Sequence, residues 1–448
     1  MLSFVHRCSL MTLLTLTFAV TANHGTCRAA DGMVVTEFSG SLIQPGNGDG
    51  EILRRFEAQI FTTDAGAFFH VTDDVRQGCP WPDSYGPIGP GTGAERVQPH
   101  LVYPYDGNTY FLPLPPLVVK VPDDAAEETT WEQSGWQMKI IEKTNMNGTP
   151  AWAIEARERR GRQQQLTVDA STGVLLRAEA DVFMGMGDQF LMSVARSGAT
   201  TLSAEQSESM VKLQQELINV QTSLRRRPDA VLAELSPRQV TDVMASLDKL
   251  SELAKSSPLE ALTRQIRTDV EQQQKRIASA TSRAGELMNA DAPVFSLNLV
   301  SGGKLESSSL KGKTVILHFW DYRDAPLSEP YGQTGYLEFL FNRRKAQEVV
   351  VVGVSTNQDL QTAENQNRGR RAARKLSEFM NLTYPIGHDD GSLLKAFGDP
   401  RDNRGQLPLW VVLSPEGKVM HYHAGFYEID QAQGLRDLEA VLAKGAKR

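Results

Sequence analysis

The chain has 448 residues, of which 23% are charged, and a formal net charge of −7. This length predicts two or three domains, each with a core of its own. With no basic excess, nucleic acid is excluded as an expected partner.

Residues 1–29 have the plan of a secretory signal peptide: His6 and Arg7 form a short basic region, Leu10 to Val20 is apolar, and small residues follow. Cleavage is expected after Ala22 or after Ala29. The apolar run falls short of the ~20 residues that span a bilayer, so no transmembrane span is expected after cleavage. The mature protein is read as exported, periplasmic or secreted. The cysteines are Cys8, Cys27 and Cys79. Two of them lie in or near the signal, so disulfide staples do not organise the mature chain.

Residues 31–200 predict an antiparallel β domain. Ile52 to Phe61 and Ala67 to Val71 alternate or run apolar, and a loop rich in Gly and Pro follows from Gly78 to Pro99. Within it, Cys79-Pro80-Trp81-Pro82 is expected to take an extended, exposed path. Cys79 has no basic residue or second cysteine beside it and is read as buried or disulfide-linked, with a reactive thiol as the alternative. Trp131, Trp136 and Trp152 fall in strand-like runs, and Gln165 to Ala170 turns at Ser171-Thr172-Gly173 into Val174 to Phe183 as a hairpin. These strands resemble the curved sheets of periplasmic lipoprotein-carrier proteins, which implies an apolar ligand in the concavity. A β platform with aromatic core residues is the plainer reading. Met184, Met186 and Met192 are weighed as soft-metal ligands and taken as core filling.

Residues 201–290 predict a helical hairpin or three-helix insert. Met210, Leu213, Leu217, Val220 and Leu224 alternate at spacings of three and four, giving one helix an apolar seam. Two capping boxes, Ser236-Pro237-Arg238-Gln239 and Ser257-Pro258-Leu259-Glu260, open a second helix bearing Val240, Val243, Leu247 and Leu250 and a third bearing Leu262, Ile266, Val270 and Ile277.

Residues 291–448 predict an α/β domain. Thr314 to Trp320 reads as a central strand buried on both faces, and Val349 to Ser355 as the next. Helices are expected over Tyr336 to Lys345 and from about Gln431 to Ala443. The polar stretch from Asn357 carries Arg368, Arg370, Arg371 and Arg374, read as a solvated helix face, with an anion grip as the alternative. His421 and His423 share a strand face and are weighed as metal ligands with His388, Asp389 or Asp390, although no third ligand is fixed by spacing and no metal is expected. Asp321 and Asp324 beside His318 are weighed as an acid/base pair against a capped loop.

The last third resembles the thioredoxin-like domains of the TlpA/ResA and AhpC/TSA (peroxiredoxin-like) families. The resemblance is carried by Ala292-Pro293-Val294-Phe295-Ser296-Leu297, Leu310-Lys311-Gly312-Lys313, Phe319-Trp320, Leu393 to Gly398, Gln406 to Leu413 and the Ser414 to Lys418 turn. It implies a cis-proline at Pro408 facing an active loop. It also implies thiol-disulfide oxidoreductase or peroxidase activity, but the Cys-x-x-Cys positions hold Asp324-Ala325-Pro326-Leu327 and the peroxiredoxin cysteine falls near Ser328. Neither a carboxylate nor an unassisted hydroxyl replaces a thiolate in disulfide exchange. What the resemblance leaves is backbone pairing with an extended peptide before the cis-proline, at a surface of Trp320, Tyr322, Leu407 and Pro408. The expectation is a multidomain α+β protein with no cofactor and a protein or peptide partner, acting as a binding or scaffolding module. An oxidoreductase or peroxidase borrowing a cysteine from elsewhere, and an apolar-ligand carrier, are the alternatives.

Overall fold

The computed structural model describes residues 32–46, 50–63, 66–74, 81–90, 96–105, 108–159, 161–224, 235–322, 333–344, 346, 348–403, 405, 407–427 and 435–445. The signal segment, all three cysteines and residues 323–332, with Asp324, Ala325, Pro326, Leu327 and Ser328, lie outside them.

Alternating burial along the N-terminal strands builds one antiparallel sheet. Its strands are β1 (Val34–Gln44), β2 (Glu51–Thr63), β3 (Gly66–Asp73), β4 (Tyr85–Pro90) and β5 (Arg96–Val97), then, after the separate hairpin β6 (His100–Tyr105) and β7 (Asn108–Pro113), β8 (Thr130–Gln133), β9 (Trp136–Met146), β10 (Thr149–Glu158), β11 (Gln163–Asp169), β12 (Leu175–Met184) and β13 (Asp188–Thr201). Eleven strands pair in the order β5-β4-β3-β2-β1-β13-β12-β11-β10-β9-β8. One face is covered by the β6–β7 hairpin, through Leu101 and Leu112, and by Leu114, Leu117 and Val119 after it. The β11–β12 turn forms at Ser171 to Gly173, where the Asp169 carboxylate accepts from the Ser171 N–H, the Ser171 hydroxyl and the Thr172 N–H. Gly173 there has φ +68°, and a Cβ would meet the Val119 carbonyl oxygen at 2.1 Å, so a side chain is excluded twice over.

Strands β1 to β4 are buried on their other face too. Val35, Phe61 and Phe68 pack beneath the helices α1 (Ala204–Ser223), α2 (Pro237–Met244), α3 (Leu247–Ala254) and α4 (Glu260–Leu287). Trp81 is the largest side chain of this contact. It sits fully buried in a short 3-10 turn with Pro82, and its Nε1 donates to Asp269 Oδ2 at 2.9 Å. The extended, exposed path expected for Trp81-Pro82 is therefore corrected: burial of the indole against the helices outweighs the local preference of the prolines.

The Ser236 capping box forms, as does one at Ser203 and Gln206. The Ser257 box does not. Helix α4 starts at Glu260, whose carboxylate accepts from the Ser256 N–H, while the Ser257 hydroxyl accepts from the Leu259 N–H. The expected second helix is split at Ala245–Ser246, where Ser246 N–H bonds the Val243 carbonyl and tightens the last turn.

The C-terminal sheet contains β14 (Ser296–Leu299), β15 (Lys304–Glu306), β16 (Thr314–Trp320), β17 (Val349–Ser355), β18 (Ile386–His388), β19 (Leu409–Leu413) and β20 (Val419–Ala424), in the order β15-β14-β18-β17-β16-β19-β20. Strand β16 is central, parallel to β17 and antiparallel to β19. One face carries α5 (Thr334–Arg344), α6 (Gln366–Phe379) and α8 (Arg436–Gly445); the other carries α7 (Ser392–Phe397) and Phe295. Among the described residues no helix is long and apolar enough to cross a membrane.

Candidate functional site

Strand β16 ends where the loop of the resemblance begins, and its apolar run is buried from Val315 to Trp320. Two buried amides hold the stems of that loop. Asn357, after β17, donates from Nδ2 to the Tyr322 carbonyl at 2.8 Å, and the Thr356 N–H donates to the Trp320 carbonyl at 2.8 Å. On the far side Gln333, fully buried, donates to the Tyr427 carbonyl at 2.7 Å and accepts from the Tyr427 N–H at 3.0 Å. Space at Gly353 of β17 is tight: a Cβ would lie 3.1 Å from Tyr384 and 3.2 Å from Trp320 Nε1, so those side chains would have to give way.

The Leu407–Pro408 peptide is cis. It precedes β19 and lies beside the end of β16, as Phe319 pairs with Leu409. Of the four residues expected to line a peptide surface, Tyr322 and Leu407 are half-buried, while Trp320 and Pro408 are buried. The correction is physical. Trp320 packs in the core with Leu337, Leu340 and Tyr384, which leaves its ring buried.

Next to Pro408 lies a cluster of rings. His318, Trp410 and His423 stand in one row across β16, β19 and β20, with His318 and Trp410 centroids 4.2 Å apart. The Tyr427 ring stacks on His423 at 4.1 Å, and His421 Nε2 lies 2.6 Å from the Tyr427 hydroxyl. Burial pushes His421 down to about 4, reinforced by the neighbouring His423 and opposed by Asp437. Burial likewise lowers His423 and raises the Tyr427 hydroxyl. Both histidines are neutral at pH 7 and used by the fold.

The other weighed sites come apart. His388 ends β18, with three strands between it and β20, so it does not join His421 and His423; burial and Arg370 hold it below the ordinary histidine range. Asp389 and Asp390 accept from the backbone N–H groups of Gly391, Ser392 and Leu393 at the start of α7. Among the described residues no three His, Cys, Asp or Glu side chains are placed to hold a metal ion. Met184 and Met192 are buried in the β-domain core, whereas Met186 is exposed. His318 is buried with its ring against Trp410, and Asp324, the other member of the weighed pair, lies outside the described residues. Arg368 makes a bidentate pair with Asp359, and Arg371 and Arg374 are exposed. Trp131, Trp136 and Trp152 are partly buried and pack against the core of the β domain. Residue types alone did not single out Gln333 and Tyr427, because their contact joins positions 94 residues apart.

Comparison with known proteins agrees with this geometry. Residues 288–422 match the AhpC/TSA family model. The thiol-disulfide oxidoreductase ResA of Bacillus subtilis (strain 168) is 30% identical over 139 residues, which cover 30% of this chain and 66% of the relative, a little under two thirds of its length. ResA of Halalkalibacterium halodurans is 26% identical over 145 residues, covering 32% of this chain and 70% of the relative. A crystal structure of a thiol:disulfide interchange protein of the thioredoxin family from Chlorobium tepidum TLS is 18% identical, covering 35% of this chain and 97% of that one with a TM-score of 0.28. With its central strand, cis-proline and edge hairpin in place, the C-terminal third of this chain is a thioredoxin-like domain, and residues 288–422 of it match the AhpC/TSA family model.

Proposed function

We propose that this is an exported binding protein whose thioredoxin-like domain performs no dithiol chemistry and docks an extended segment of a protein partner beside Leu407 and Pro408. The observation that carries this reading is a separation of parts. Residues 288–422 match a family of thiol chemistry, yet the chain has no cysteine after Cys79. The backbone before the cis-proline remains, with Leu407 and Tyr322 half-buried beside it. Pairing along that backbone uses main-chain hydrogen bonds and needs no sulfur. The basic and apolar leader at His6 to Val20 supports export.

The mature protein is expected to show no turnover in insulin-reduction and peroxide-consumption assays, and Cys79→Ser is expected to match it. Turnover abolished by Cys79→Ser would instead favour an oxidoreductase or peroxidase, the activity named for the relatives, with Cys79 as its sulfur. Peptides selected on the mature chain from a displayed library of random heptapeptides are expected to include a class that loses about tenfold in affinity to Leu407→Asp, the order expected for a carboxylate in a half-apolar groove. A selection in which every peptide ignores Leu407→Asp would rule out docking there.

A further inference from the structure

On the outer edge of β20, part of the main chain faces away from the sheet. The Gly425 N–H donates to the Pro408 carbonyl at 2.8 Å, which makes 408 and 425 a hydrogen-bonded pair of the antiparallel ladder. Alternation makes Trp410 with His423 and Val412 with His421 the next such pairs. Tyr422 and Ala424 therefore turn their N–H and C=O groups away from β19, and no hydrogen bond from the described residues reaches these groups.

The same edge is already paired at its other end. Beyond a register shift between Val412 and Leu413, Val419 also faces outward. Its N–H donates to the Ala290 carbonyl at 2.9 Å and its carbonyl accepts from the Asn289 N–H at 2.8 Å. The linker after α4 thus acts as a short added strand, and it leaves the edge before Tyr422.

Past that point α4 stands off from β20. Arg283 braces it there, donating to the carbonyls of Ala396 and Phe397, and Asn403 donates to Ser279. Between helix and strand remains a slot of about 390 Å³, within the ~300–1,000 Å³ of ligand clefts. Small residues line part of both walls, Ala280 and Ala284 on α4 and Gly398 and Gly425 opposite, among larger ones such as Arg276 and Tyr422. Where the small residues face each other, a backbone with small side chains can approach.

We propose that this slot receives an extended segment of a partner protein, rich in small side chains, which pairs with Tyr422 and Ala424 and continues the ladder begun by Asn289 to Ala292. Unpaired edge groups call for an extended backbone, and the linker shows this edge accepting one. The inference does not depend on docking beside Leu407.

The test selects heptapeptides from a random displayed library on the full mature chain carrying Leu407→Asp, which disables the other surface. The recovered peptides are expected to bind the unaltered chain equally well and to slow hydrogen exchange of the Tyr422 and Ala424 amides. Ala424→Pro removes an outward N–H without touching a bond to β19, and Ala280→Leu fills the slot while leaving β20 unchanged. Each is expected to weaken binding about tenfold, the order of one or two lost backbone hydrogen bonds. The proposal is overturned if no peptide is recovered, or if the recovered peptides are indifferent to Ala280→Leu and leave both amides exchanging freely. Protection of those amides that appears only with rising protein concentration would overturn it too, assigning the edge to a second copy of the chain.

Discussion

Trp81→Ala is expected to destabilise the β domain and its helices by about 3–5 kcal/mol, the range for removing a buried aromatic side chain from a core that collapses only in part. Trp81 is fully buried where Phe68 and Tyr85 of the sheet meet α1 and α4. Its Nε1 donates to Asp269, which also accepts from Gln273 Nε2 at 2.8 Å, and the Gln273 carbonyl oxygen accepts from the Leu235 N–H at 2.7 Å. One indole thus ties the sheet to α4 and, through two further residues, to the segment entering α2. Trp81→Phe keeps most of the apolar contact and leaves Asp269 with one donor fewer, so about 1–3 kcal/mol is expected for it. Urea unfolding followed by far-UV circular dichroism measures both. Midpoints for Trp81→Ala indistinguishable from the unaltered protein would show that the helices are held to the sheet by other contacts.

Acidification is expected to weaken the C-terminal domain between pH 6.5 and pH 4, by on the order of 2–3 kcal/mol from His421. The sign follows from proton uptake. His421 falls from the ordinary 6.5 to about 4 in the fold, so between those values the unfolded chain binds a proton that the folded chain refuses. Stability is therefore complete above pH 6.5 and is lost as pH falls toward 4. His423, lowered by its own burial, adds in the same direction, and Asp437 on α8 opposes both. Carboxylates such as Asp169 and Asp390 are held below 3.8 by hydrogen bonds to Ser171 and Ser392, so they contribute stability above that value and lose it only at lower pH. Urea midpoints at pH 7 and pH 4.5, compared with those of His421→Gln, isolate the histidine. An equal fall in the variant would place the acid sensitivity elsewhere.

How much of this could be read from the residues differs from element to element. Thr314 to Trp320 declared itself as a central strand because seven β-forming residues flanked by a Gly-Lys turn have few other uses, and β16 occupies those bounds. The cis-proline at Pro408 was legible through the resemblance around it. Trp81 was misjudged because the prolines beside it describe only local chain stiffness, and the surface that buries it is supplied by α1 and α4, far away in sequence. The burial of Trp320 was missed for the same reason: a tryptophan after a strand reads as exposed until the helices above it are placed.

The residues by themselves determined the family resemblance of the C-terminal third and the absence of cysteine after Cys79, because both depend only on which side chains follow one another. The order of the parts, sheet then helices then thioredoxin-like domain, was likewise written in the change of hydrophobic period along the chain. Only the tertiary structure decided that His421 and His423 stack under Tyr427 instead of meeting His388, since strand order sets which histidines are neighbours. It alone decided that Gln333 grips Tyr427, and that no hydrogen bond from the described residues reaches the outward main-chain groups of Tyr422 and Ala424. Ladder alternation and long-range contact are properties of paired strands, and a single strand's residues do not carry them.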